Sequence, residues 1–406
     1  MDSDMRDEAF IIEKEREEDR LLLQVRDAAR IAADGDAARS REVLDLISGP
    51  QRAAGSGDLR LCEALGDFYR DAEPSVTGLS RSGATDNAVH WYYKAASASR
   101  YPRRGECGMQ IALLSFLPKY GNVRFKQAKD WFVWAGERLG SAGAWLRAGS
   151  IAEYEGRYDE AMGFREKADS LSGDRLGEVE TACMLVRRGL DETGGVLRLT
   201  SLMEDGVAKA AVEIAALMRS ADLPDEAVRR FGQRHGTSLS DLSEMLGDFA
   251  ADPDALAEKA MTDYYCISDD LLCGTDVYVE NLERQDFYKM LETAWNEGDS
   301  PLAAYYLGRI YSFQLGGALA DEGFPKEELS DLAAFALAYL DTAAGEGLPY
   351  AIKADVRLHA SIYGFDSATE AGLRLLGLFG EKAAADEIRQ MKEEFEDSSR
   401  YFASRI

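Results

Sequence analysis

The chain has 406 residues, 46% of them hydrophobic, which is ample for a continuous core. Its 73 Asp and Glu outnumber its 47 Lys and Arg, giving a net charge of −26. That excess argues against direct nucleic-acid binding, which needs cations to displace counterions from phosphate, and against docking on an anionic membrane. A basic protein or peptide partner fits the charge better. No stretch of 18 residues is uniformly apolar, so no bilayer span is expected. The acidic start, Met1 to Met5, lacks the layout of a secretory signal. Five scattered cysteines (Cys62, Cys107, Cys183, Cys266 and Cys273) read as free thiols in a reducing, cytoplasmic setting.

In chain order, residues 8–33 predict one helix, with Leu21, Val25, Ala28 and Ala32 at helical spacing. Its run of charges from Glu13 to Arg20 pairs at three-residue intervals and reads as a solvated face. A second helix over 37–47 is expected to stop at Gly49-Pro50. Residues 1–56 together predict a terminal cap, because the open end of a repeat stack needs a polar outer face.

From residue 57 to 251 a template recurs. Leu61, Leu65-Gly66 and Tyr69 place an apolar residue, then Leu-Gly, then an aromatic on one helical face. Leu242, Leu246-Gly247 and Ala250 repeat it, with weaker copies at Ala144, Ala148-Gly149, Ala152 and at Ala210, Ile214-Ala215, Met218. Glu63 to Phe68 and Glu244 to Phe249 even share all but one residue of a six-residue string. Gly inside a helix costs about 1 kcal/mol against Ala. Its recurrence at one register position therefore predicts a close crossing by a neighbouring helix. A second signature follows the first: Ala88, Trp91, Tyr92, Lys94, Ala95-Ala96. It returns as Ala128, Trp131, Ala135-Gly136 and as Ala336, Tyr339, Ala343-Ala344. Repeats of this kind, at 30–40 residue spacing, predict stacked helix pairs.

Residues 252–285 fit neither signature and read as an irregular insertion or seam. Repeat register returns over 286–380 with Ala303, Leu307-Gly308, Tyr311. Residues 381–406, with Ala384, Ile388, Met391 and Phe395 at helical spacing, predict a capping helix.

On these motifs the chain resembles the Sel-one-like repeat (SLR) family, a relative of tetratricopeptide repeats. Ala88, Trp91, Tyr92, Lys94, Ala95 and Ala96 match its second helix, while Leu65, Gly66, Tyr69 and Ala303, Leu307, Gly308, Tyr311 match its first. Gly156 to Ala161 with Lys167-Ala168 looks like the tetratricopeptide version of the same turn and helix. The copies near Ala182 and Ala210 have lost the Gly. The resemblance implies an all-α fold, an α-α superhelical solenoid. It also implies a non-catalytic adaptor or scaffold that holds protein partners on a concave surface lined by first helices.

The register then nominates inward positions: Arg60, Glu63 and Asp67; Asp241, Glu244 and Asp248; Leu302, Tyr305 and Arg309. The second set is wholly acidic and would suit a Lys- or Arg-rich peptide. Two rival readings stand beside it. One is an acidic decoy that presents carboxylates in place of phosphates to a nucleic-acid-binding protein. The other is an enzyme with its site within residues 264–280. No cofactor is expected. Cys266 and Cys273 lie seven apart without a nearby His, unlike a zinc site. Nor does anything place a nucleophile beside His90, His235 or His359. Gly194-Gly195 and Gly316-Gly317 lack the Lys and Ser or Thr of a phosphate loop. Trp131-Phe132 with Trp134, and Tyr305-Tyr306, are spaced for packing.

Overall fold

The computed structural model describes residues 2–33, 37–72, 74–117, 124–220, 223–267, 286–320, 324–346, 348–363, 369, 372–373 and 376. The predicted capping helix at 381–406 and the 268–285 part of the predicted seam lie outside the described residues. Among those described, regular structure is all helical, and consecutive helices joined by short loops stack as antiparallel pairs. The chain divides into two compact units, Met1–Ala148 and Gly149–Ile406.

In the first unit, α1 (Asp2–Ala33) and α2 (Ser40–Gly55) cover α3 (Leu59–Asp71). The stripe Leu21, Val25, Ala28, Ala32 is buried as its spacing requires, and Arg20 pairs with Glu17 on the outer face. The expected stop at Gly49-Pro50 does not occur. Instead α2 continues to Gly55, with Pro50 buried alongside Val43, Ile47 and Ala54 on one stripe. Burial of that face outweighs the backbone hydrogen bond that Pro50 cannot make. A short helix, α4 (Pro74–Thr77), leads to α5 (Arg81–Ser97), α6 (Arg104–Phe116), α7 (Phe125–Leu139) and α8 (Ala142–Tyr154), whose residues from Gly149 on belong to the second unit. Asp58 and Ser80 cap α3 and α5 through backbone N–H groups of Leu61 and Gly83. At the far end of α7, Gly140 adopts φ 62°, a conformation that suits glycine.

The close crossing expected at the repeated Gly is present between α3 and α5. A Cβ on Gly66 would lie 2.7 Å from the Tyr92 ring, so only Gly fits beneath it. Tyr92 is fully buried, and its hydroxyl donates to Asp67 Oδ1 at 2.6 Å while accepting from Arg70 Nη1 at 3.1 Å. Trp91 packs into the same core as Leu61, Leu65 and Phe68. Burial pushes the Cys62 thiol up to about 11 and the Cys107 thiol up to about 12, so both are inert structural groups.

The second unit continues with α9 (Tyr158–Ser172), α10 (Leu176–Arg187), α11 (Glu192–Glu204), α12 (Ala208–Ser220), α13 (Asp225–His235) and α14 (Leu239–Gly247). Beyond these come α15 (Pro253–Ile267), α16 (Asp286–Asn296), α17 (Pro301–Ala320), α18 (Lys326–Gly345) and α19 (Pro349–Tyr363). Helices α10, α12, α15, α17 and α19 touch in succession and make one wall. In this unit α17 and α18 cross closely, a Cβ on Gly308 meeting Leu340 at 2.7 Å.

Residues 253–267, read from sequence as part of an irregular seam, form the helix α15 that bridges α12 and α17 in that wall. Conversely α14, which carries the Leu246-Gly247 copy of the template, does not stand in the wall. The nearest atom to a Cβ on Gly247 is Lys259 Cε, at an ordinary 3.7 Å. The register of this repeat is therefore carried by α15 despite its lack of the Leu-Gly signature. Polar burial disguises it: Glu258 and Thr262 are fully buried on α15, and the Tyr306 hydroxyl donates to Glu258 Oε2.

Candidate interaction surfaces

A cleft of about 1530 Å³ in the first unit is walled by α1, α3 and the 101–103 turn. Its floor is apolar, with Leu22, Val25, Ala64 and Phe68, and its lining also includes six acidic and six basic side chains. Helical spacing places Arg60, Glu63 and Asp67 on its α3 side, so the structure brings this predicted trio together. Their charges are already answered. The exposed Arg60 faces Asp19 at 3.5 Å across the cleft. Glu63 is buried, accepting from the Tyr101 hydroxyl and pairing with Arg103 at 2.9 Å. The Tyr101 hydroxyl is pushed up by burial and by that carboxylate, so it remains a donor. Asp67 is held by Tyr92 and by Arg70 at 3.1 Å.

The other nominated residues lie in the second unit. Asp241 is part of the α14 capping box: Ser238 donates from its backbone at 2.9 Å and from its hydroxyl at 2.6 Å. Those hydrogen bonds hold the Asp241 carboxyl below its ordinary value. Its job is structural, whereas Glu244 on the same helix and Asp248 at its C-cap are exposed. Leu302 is buried, 4% exposed, and belongs to the core around α15–α17 rather than to a binding face. Tyr305 and Arg309 form a unit on α17: Arg309 donates to the Tyr305 hydroxyl at 3.0 Å, and Tyr305 packs on Tyr350 of α19 at 4.6 Å between ring centres.

Sequence reasoning missed a network of heavily buried charges. Arg165 and Glu153 are both 1% exposed and pair at 2.6 Å, with Arg188 at 3.1 Å and Arg187 at 3.4 Å completing the shell around Glu153. Burial pushes the Glu180 carboxyl up, but Arg187, Arg165 and Lys209 outweigh it and hold it low. Further along the wall, Lys209 pairs with Glu213 at 3.3 Å and Asp254 at 3.6 Å, and Ser300 donates to Asp254 at 2.6 Å. Burial works against the Lys209 ammonium, yet Glu213, Tyr350 and Asp254 together raise it. The one usable signal is positional. Arg165 stands in its repeat where Tyr92 stands in the first, and its Cγ covers Gly149, 3.2 Å from where a Cβ would lie.

A third surface joins α16, α17 and α18. The Tyr288 and Tyr311 hydroxyls meet at 2.8 Å. Tyr311 stacks on Tyr339 at 5.8 Å and packs on Phe335 at 5.5 Å, while Trp295 meets Tyr339 edge-on at 5.9 Å. Phe335 is 52% exposed. Burial pushes the Tyr288 and Tyr339 hydroxyls up, with Glu292 adding to both.

No group of three or more His, Cys, Asp or Glu among the described residues could hold a metal ion, and no described helix is long and apolar enough to cross a membrane. No protein-family model and no curated protein matches the chain. Among solved structures it is similar to a Sel1 repeat protein from Oxalobacter formigenes. That crystal structure aligns over 90% of this chain and 94% of its own at 15% identity, with a TM-score of 0.32.

Proposed function

We propose that the chain is a non-catalytic helical-repeat adaptor that seats a protein partner in the α1–α3 cleft. The observation that carries this reading is the cleft itself, whose apolar floor is framed by charges of both signs. An apolar centre with a polar rim is the anatomy of a protein interface. The cleft carboxylates are interleaved with Arg and Lys, which speaks against a phosphate-mimicking decoy. A basic partner is supported by the net charge of −26 and by Glu244 and Asp248, which stand exposed on α14 and at its C-cap. The buried, unpaired thiols Cys62, Cys107 and Cys183 suit a reducing compartment such as the cytoplasm.

The test is quantitative capture of partners from native extract by the full chain. Ala64→Arg, which fills the floor of the cleft, should reduce capture of the principal partner at least about tenfold while helicity and melting are retained. Glu244→Lys with Asp248→Lys, which leaves the Asp241 cap in place, should weaken it if the partner is basic. Undiminished capture by the Ala64 variant would remove the cleft from the account.

A further inference from the structure

The aromatic face on α16–α18 has the make-up of a cation seat. Tyr288, Glu292 and Trp295 share one side of α16, at spacings of four and three residues. Phe335 and Tyr339 share one side of α18, and Tyr311 lies between the two helices, bonded to Tyr288 and stacked on Tyr339. Packing alone explains the inner rings but not Phe335, which leaves half its surface in water above the stacked pair. An exposed ring next to further half-buried rings marks a surface that another molecule completes.

Charge decides what that molecule presents. Glu292 lies close enough to Tyr288 and Tyr339 to act on both hydroxyls, yet makes no hydrogen bond or ion pair among the described residues. Asp331 and Glu328 stand one and two turns before Phe335 on the same side of α18. The nearest base in sequence, Lys289, is turned to Asp286 at 3.8 Å. Negative ring faces beside unanswered carboxylates attract cations and repel phosphates.

We propose that this face receives an arginine side chain from a basic segment of a protein partner. A guanidinium is flat and stacks on an aromatic ring while its N–H groups reach a carboxylate, which matches a face that offers both. The idea deepens the adaptor reading by naming the partner's chemistry, but it concerns a different surface from the cleft.

The experiment titrates the full-length chain by calorimetry at physiological salt. The probes are a capped glycine-serine peptide carrying three arginines, its lysine counterpart, and a short oligothymidine. The arginine peptide should bind best. Phe335→Leu, which keeps apolar bulk but removes the ring, and Glu292→Gln should each weaken it about five- to tenfold. Phe335→Trp should bind at least as well as the native chain, and Asp45→Asn, an exposed charge on α2 of the first unit, should stay within about twofold. The proposal is overturned if the arginine peptide does not bind, if Phe335→Leu and Glu292→Gln leave its affinity unchanged, or if Asp45→Asn costs as much as they do. Preference for lysine or for the oligonucleotide overturns it equally. The Phe335 and Glu292 variants assign the binding to this face, so their outcome is independent of whether the cleft variant loses partner capture.

Discussion

Two glycines at the same repeat position show how differently one template can be completed. Over Gly66 lies Tyr92, a buried ring whose hydroxyl is anchored by Asp67 and Arg70. Over Gly149 lies Arg165, a buried cation neutralised by Glu153. Leu340 plays the part over Gly308, and no side chain crosses closely over Gly247, where Lys259 Cε stands at 3.7 Å, although the α14 copy shares all but one residue of a six-residue string with the α3 copy. The small residue creates a vacancy, and the repeat is defined by what crosses it. Tyr and Leu fill theirs by apolar burial, whereas Arg needs carboxylates around it, because a buried charge is tolerated only when paired.

The largest expected effect follows from that contrast. Glu153→Leu would strand Arg165 in the interior and should cost about 3–5 kcal/mol, read as a shift of the urea midpoint. Adding Arg165→Leu should recover part of the loss, since an apolar cover over Gly149 then resembles Leu340 over Gly308. If the double variant is no better than the single, the two covers are not equivalent.

A smaller effect concerns how α14 is held without a close crossing. Its capping box fixes its first turn, and Asp241 titrates below its ordinary value in the folded chain because Ser238 donates to it. A carboxyl with a depressed folded pKa stabilises above its unfolded value and loses that contribution as pH falls through the folded one. The stability gap between the native chain and Asp241→Asn should thus be full near neutrality and close below about pH 4. A gap that persists undiminished at lower pH would show that the cap does not depend on the ionised carboxylate.

Much of the helical architecture is legible in the residues, for a simple reason. Leu65, Gly66 and Tyr92, like Leu307, Gly308 and Leu340, are apolar or small at helical spacing, so periodicity and packing point the same way. Helix α15 was not legible because Glu258 and Thr262 occupy its buried side, and a charged residue reads as surface until its partner Tyr306 is in place. The α14 copy misled for the opposite reason: its string is right and its neighbour is missing. Among nominated surface residues, spacing along α3 was enough to put Arg60, Glu63 and Asp67 on one cleft. The Ser238-x-x-Asp241 spacing already carries the capping-box signature, which the inward register overlooks, whereas the burial of Leu302 depends on α15 and α16 packing around it.

The central claim, that the crossing partner and not the local string makes a repeat, is tested most directly by thermal unfolding of Gly66→Ala beside Gly247→Ala. At Gly66 the added methyl meets an immobile ring at 2.7 Å, and overpacking of about 1–3 kcal/mol should outweigh the gain in helix propensity, lowering Tm. At Gly247 the added methyl meets only the flexible end of Lys259 at an ordinary 3.7 Å, and the same change should raise stability by up to about 1 kcal/mol. Opposite signs are the predicted result; a comparable fall in Tm for both variants would contradict it.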